Sequence, residues 1–405
     1  MNDQIQHARE VATNILNPGK TDLDRGLALH KESVVVESYS LGVMAPIDGA
    51  AVATRIEAGA TDVELSHLTA DMRMTRWVDE PSLRQEFEEA WEASGVTCSY
   101  QNAGEEGNDP IVLIERLARH TYVTDMAPDL MKRVVNPDDV VAAKTEGKHC
   151  RYMTGNGIPL AGNQRNTSEE LRYIRVFYQL GVRMMHLTYN RRNLIGDGCA
   201  EPADAGLSEF GHEVIREMNE VGVLVDIAHS GRQTGLDAAA ASKRPIVISH
   251  SCARGLNEHV RCKDDETIRA VIATGGTMGI TNVPYFLGGQ GNISTMLDHI
   301  DYVAKTFGTD HVTIGTDQPY TSHRSAAENA RIPKTRRTRP RWESLWPPDD
   351  QHGASEWRQD HQVQSLNWTN WPMITVGLVQ RGYSDDDIRK IIGGNILRVS
   401  RNVLS

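Results

Sequence analysis

No CxxC pair occurs among the five cysteines of this 405-residue chain, Cys98, Cys150, Cys199, Cys252 and Cys262. An odd set without that spacing, in a chain long enough to bury its own core, argues against a disulfide framework and for a reducing compartment. No stretch approaches the roughly 18 apolar residues of a membrane span. The opening run MNDQIQHAREVATNIL is polar and amphipathic and lacks the apolar centre of a secretion signal. A cytoplasmic protein without a membrane partner is expected. Positive charge is also short, with 43 Lys and Arg against 54 Asp and Glu, a formal net charge of -11. Phosphate backbones need a basic face to displace their counterions, so no nucleic acid partner is expected.

What the sequence does hold is a repeating rhythm. Val223–Ala228 and Ile246–Ser249 are short apolar runs that lead into His229 and His250, and an alanine-rich segment able to form one helix separates them. Around this unit, helical patterns at 171–180, 208–220, 264–273 and 293–307 alternate with strand patterns at 182–188, 277–281 and 311–317. Ser33–Glu37 reads as the first strand, and Pro137–Glu146 as another, ending in Glu146 before Gly147. Between residues 45 and 120 the pattern is irregular and helix-rich. Alternation of this kind marks a parallel sheet, and at this length a closed (β/α)8 TIM barrel is the leading architecture.

Residues 1–31 are expected to form a helical arm, broken at Pro18–Gly19, that packs on the body or contacts another subunit. A homo-oligomer is accordingly expected. Residues 32–405 then form a single barrel with an insertion at about 320–366. That insertion gathers Arg324, Arg331, Lys334, Arg336, Arg337, Arg339 and Arg341 with Trp342, Trp346 and Trp357. In an acidic protein it suits a lid or a subunit contact better than a nucleic-acid patch.

Chemistry in such barrels sits at the carboxyl ends of the strands. Glu146, His229, His250 and Asp317 each close a predicted strand. One histidine in such a place more often just donates to a carbonyl. Two at consecutive strand ends, with acids at two others, point to a metal, and a carboxylate with two imidazoles suits zinc. Asp317 could hold or deprotonate a water. Arg261 stands in a loop where a guanidinium can grip a carboxylate, although a solvated loop arginine fits the spacing equally. Tyr189 and Asn190 follow another strand and could donate to an oxyanion, while Asp226 suits an orienting role behind the ligands.

The runs GLSEFGHEVIREMNEVGVLVDIAHS, SKRPIVISHSCARGL, RCKDD, HVTIGTD and RGYSDDDIRKIIGGNILR, in that order, resemble the renal (membrane) dipeptidase family of the amidohydrolase superfamily. The resemblance runs from about residue 137 to the end, interrupted by the insertion. It implies a two-zinc dipeptidase on a (β/α)8 barrel. It assigns Glu146 in TEGKH as the carboxylate bridging the metals, His229 and His250 as ligands of the second metal, Arg261 as the anchor of the substrate carboxylate, and Asp317 as base and first-metal ligand. The sequence also departs from that pattern. The first strand of the family ends in DGHND, whose His and Asp bind the first metal, and here Tyr39 and Leu41 take those places. The family's LTH histidine is matched by Tyr189 in LTYN, and GTDQPY replaces the usual GSDFDG.

The expectation is a hydrolase with one zinc per chain, held by Glu146, His229, His250 and Asp317, cleaving an amide in a small-molecule substrate with a free carboxylate. Two alternatives share the fold: lyase, isomerase or decarboxylase chemistry at one metal, or a catalytically silent ligand-binding relative.

Overall fold

The computed structural model describes residues 1–104, 107–162, 166–333, 344–351 and 353–404. Eight strands pair in parallel, each with the next: β1 (Val36–Ser40), β2 (Cys98–Asn102), β3 (His149–Gly155), β4 (Val182–His186), β5 (Leu224–Asp226), β6 (Val247–Ser251), β7 (Thr277–Ile280) and β8 (Val312–Ile314). The ring closes where Thr316 N donates to Glu37 Oε1 at 3.0 Å and Asp317 N approaches Tyr39 O at 3.5 Å. The expected barrel is therefore present, wrapped in helices. Its interior is narrow. Ser38 Oγ donates across it to Ser249 O at 2.7 Å, and a Cβ on Gly279 or Gly315 would lie 2.0 or 2.2 Å from that same carbonyl, so only glycine fits there.

Local chemistry sets the helix boundaries that aim the strands. Helix Glu209–Val221 begins at Ser208, whose Oγ accepts from Gly211 N, and stops at Gly222 with φ +89, which turns the chain into β5.

Two expectations fail. Pro137–Thr145 is a helix rather than a strand: Asn136 and Asp139 form a capping box, Pro137 occupies the first turn, and two aspartates favour that end of the dipole. The strand lies just beyond, at His149–Gly155. The segment expected to be irregular contains β2, whose sequence CSYQN shows no apolar alternation because all five of its residues are buried.

The arm forms α1 (Asp3–Leu16) and α2 (Lys20–Glu32) and packs onto the body. His30 Nδ1 lies 2.8 Å from Thr375 Oγ1, Arg9 Nη2 donates to Thr369 O at 2.8 Å, and Gly26 sits directly against Val376. In the insertion, Lys334, Arg336, Arg337, Arg339, Arg341 and Trp342 lie outside the described residues. Its described part is pinned over the barrel mouth: Arg191 donates to Ser344 O and Trp346 O at 2.8 and 2.7 Å, and His259 Nε2 lies 3.0 Å from Asp350 Oδ2. Among the described residues no helix is long and apolar enough to cross a membrane.

Candidate metal centre

His250 lies within β6, His229 three residues beyond β5 and Asp317 three beyond β8, so the parallel strands deliver all three to the carboxyl end of the barrel. His229 Nε2 and His250 Nε2 are 3.0 Å apart, and Asp317 Oδ2 is 3.9 Å from His250 Nε2. Asp317 holds φ +57, a left-handed backbone that aspartate tolerates better than most residues, and its side chain keeps 23% exposure where both imidazoles are buried.

Fixed partners set the tautomers. His229 Nδ1 donates to Asn190 Oδ1 at 2.7 Å. Ser249 Oγ gives its one proton to Asp226 Oδ2 and so accepts from His250 Nδ1 at 2.7 Å. Burial, reinforced by the Arg261 charge, pushes both imidazoles well below the usual histidine range, so both are neutral at pH 7. Two Nε2 lone pairs therefore face each other in a buried space with no proton between them. Neutral imidazoles with their far nitrogens tied back, beside a carboxylate, are the donor set a divalent metal takes, and the residues fit that group.

Asp226 also accepts from Ala228 N and Ser249 N, at 2.9 and 3.0 Å. Burial alone would push its carboxyl up, but His186 and the Ser249 donors outweigh that and hold it below the ordinary range. It orients His250 through Ser249, the supporting part expected for it. Two tyrosines flank the pair. Tyr39 stacks on His250 and Tyr189 on His229, each with ring centres 3.9 Å apart. Burial first, and then Asp317 and Tyr189, push the Tyr39 phenol well above its ordinary value, so it stays neutral and donates to Asn156 Oδ1 at 2.6 Å.

Glu146 does not join the cluster. It caps the carboxyl end of helix Pro137–Thr145, ahead of β3 and thus at the opposite end of the barrel, with 40% of its side chain exposed and paired with Lys132 and Lys148. The residue that follows β3 is Asn156, an amide. Asn190, expected at the substrate face, is fully buried behind His229, and its carboxamide oxygen is taken by that ring. Arg261 is in the site but is 1% exposed, donating to Ala228 O and, at 3.3 Å, to His250 O, with Nη2 3.4 Å from His229 Nε2.

Sequence reading missed two buried groups. Lys263 donates to Ser230 O at 2.5 Å, and burial lowers it to about 8. His186 ends β4, and with Asp226 and His250 it forms the one described group of three whose donor atoms all lie within 4.8 Å of one another. The strand expected at 182–188 places His186 inside its run rather than at its end, which left no signal for it. A cleft of about 190 Å³ is lined by Asn282, Leu366, Trp368 and Gln318, the residue after Asp317, among others.

The fold and site define a parallel (β/α)8 barrel that gathers buried histidines at the carboxyl end of its strands. Residues 19–327 match the family model described as membrane dipeptidase (peptidase family M19), and the chain belongs to that family. The dipeptidase tcpJ of Claviceps purpurea (strain 20.1) is 26% identical over 287 residues, covering 69% of this chain and 57% of the relative. The chain spans about half the length of the curated relatives it matches. Among solved structures, an amidohydrolase from Pseudomonas aeruginosa superposes with TM-score 0.66 at 24% identity, covering 93% of this chain and 98% of the other. A metallopeptidase from Rhodobacter sphaeroides, liganded with a phosphinate mimic of the dipeptide L-Ala-D-Ala, superposes with TM-score 0.62 at 15% identity, covering 92% and 100%. These last two likenesses concern the fold.

Proposed function

We propose that the protein is a zinc hydrolase that cleaves the amide bond of a small, dipeptide-like substrate bearing a free carboxylate. The observation that carries this reading is the pair of facing Nε2 atoms of His229 and His250 beside the more exposed Asp317. His229, His250 and Asp317 would hold about one zinc per chain. When bound, zinc lowers the pKa of its water towards about 7, supplying a nucleophile at neutral pH.

The remaining roles fall to the chain's own residues. Asp317 takes the proton of the attacking water and returns it to the leaving nitrogen. Tyr189, whose ring is fixed on His229, donates its phenol hydrogen to the oxyanion that develops on the carbonyl. Arg261 attracts the substrate carboxylate with the N–H groups that the backbone carbonyls do not use, Nε among them. One metal rather than two is favoured because Tyr39, Leu41 and Asn156 stand where further ligands would be needed: a neutral phenol, a leucine and an amide. The dipeptide mimic bound by the Rhodobacter sphaeroides structure supports the substrate class.

Metal analysis and product analysis test this together. Zinc near one equivalent in the wild type, lost in His250→Ala, with hydrolysis of members of a dipeptide library, is the expected result. Protein grown with ample zinc that holds none would overturn it, and zinc without dipeptide turnover would move the reading to other chemistry at the same metal.

A further inference from the structure

A second cavity lies between β2 and β3 on one side and helices Asp62–Asp79 and Pro110–Met126 on the other. Its volume is about 60 Å³, space for a few waters or one small ion. Arg73, Arg116 and Arg151 line it together with His120, and no carboxylate stands among its described lining residues. Three guanidinium groups around one small space, with no acid between them, call for a negative charge.

Arg151 is the buried member of the group. It is 3% exposed, its Nε has no hydrogen-bond partner, and among the described residues its guanidinium makes no hydrogen bond or ion pair. Its Cζ lies over the rings of Phe87 and Trp91, at 5.6 and 5.5 Å from their centres, so aromatic faces support the flat of the group and leave its N–H edge for the cavity. Burial lowers Arg151 to about 9, and it therefore stays a cation at pH 7. A buried cation without a counter-charge is costly. Burial, and then the Arg151 charge, push His120 down to about 3, so that ring is neutral and adds no charge of its own. Arg116 is half-buried and donates to Gly104 O at 2.8 Å, while Arg73 is exposed, so the guanidinium groups run from solvent to the cavity floor.

We propose that this cavity binds one small oxyanion of the phosphate class, held at its floor by Arg151 and at its rim by Arg116 and Arg73. The planar fork of each guanidinium matches the spacing of two oxygens on such an anion, and a tetrahedral anion presents oxygens in several directions at once, as arginines on three different elements require. The volume admits the anion and excludes a nucleotide or a peptide. None of the residues lining the cavity belongs to the set formed by His229, His250 and Asp317, so the site is independent of the metal reading above.

Isothermal titration calorimetry of the full-length protein with inorganic phosphate should show one equivalent bound, with Kd below about 1 mM. Glycerol phosphate, titrated alongside, separates a free ion from the head of a small ester, and saturable binding of either supports the site. Arg151→Gln and Arg116→Gln, each checked for native circular dichroism, should raise Kd at least tenfold. His250→Ala should leave it within threefold of the wild type. Absence of saturable binding of both probes, or an unchanged Kd in both arginine variants, would overturn the inference. Loss of binding in His250→Ala would overturn it as well, by moving the anion to the metal centre. None of these results bears on whether zinc is held, which the metal analysis above decides separately.

Discussion

The Nε2 atoms of His229 and His250 face each other at 3.0 Å while the Nδ1 of each ring donates to an acceptor fixed by the fold, Asn190 Oδ1 for one and Ser249 Oγ for the other. Neither ring can turn away without breaking a buried hydrogen bond. A bound cation therefore removes an unfavourable contact from the native state only, and it stabilises by mass action. At metal a thousandfold above Kd this amounts to about 4 kcal/mol. Thermal unfolding with zinc and then with excess chelator should show a fall of several degrees on chelation; an unchanged midpoint would remove the metal from the site.

Glu146 separates two ways of reading the chain. The TEGKH motif makes it a metal ligand, whereas the fold leaves it solvated between Lys132 and Lys148 at the far end of the barrel. Glu146→Gln should leave zinc content at the wild-type value and turnover within twofold. Loss of zinc in this variant would restore the motif-based assignment.

Asp317→Asn keeps the shape of the residue and removes its basicity. Loss of a general base costs about 100- to 10,000-fold, so kcat for a cleaved dipeptide should fall by that much. A rise in KM with unchanged kcat would instead make Asp317 a binding residue.

Tyr189→Phe preserves the ring on His229 and deletes one donor. Removing an oxyanion donor costs about 2.7–4 kcal/mol, or about 100- to 1,000-fold in kcat. Full activity in steady-state assays would end its catalytic role.

Glu37 gives the protein a pH-dependent stability. Burial on β1 raises its carboxyl from 4.5 to about 7, against the donors Thr316 and, at 2.8 Å, Trp368 Nε1. The native state thus keeps a proton that the unfolded chain gives up sooner. Stability is highest below about pH 4.5 as far as this group is concerned, falls as pH rises towards about 7, and then levels, for a total on the order of 3 kcal/mol. Urea unfolding at pH 5, 6, 7 and 8 should show this slope in the wild type and a flatter one in Glu37→Gln; equal slopes would locate the pH dependence elsewhere.

The sequence by itself determined the order of strands and helices from β4 onward, because a strand buried on both faces reads as an apolar run and a helix is marked by caps such as Ser208 and Gly222. It also placed His229, His250 and Asp317 at strand ends, since position along a strand is a property of the chain. Only the tertiary structure decided which strand-end residues meet. Pro137–Thr145 coils because its capping box and proline outweigh a weak alternation, and that turn of helix removes Glu146 to the opposite end of the barrel. β2 stayed illegible because polar residues paired in a barrel wall carry no period. His186 looked like one more residue of an apolar strand until closure of the barrel set its ring among His229, His250 and Asp226, a proximity that spacing along the chain does not encode.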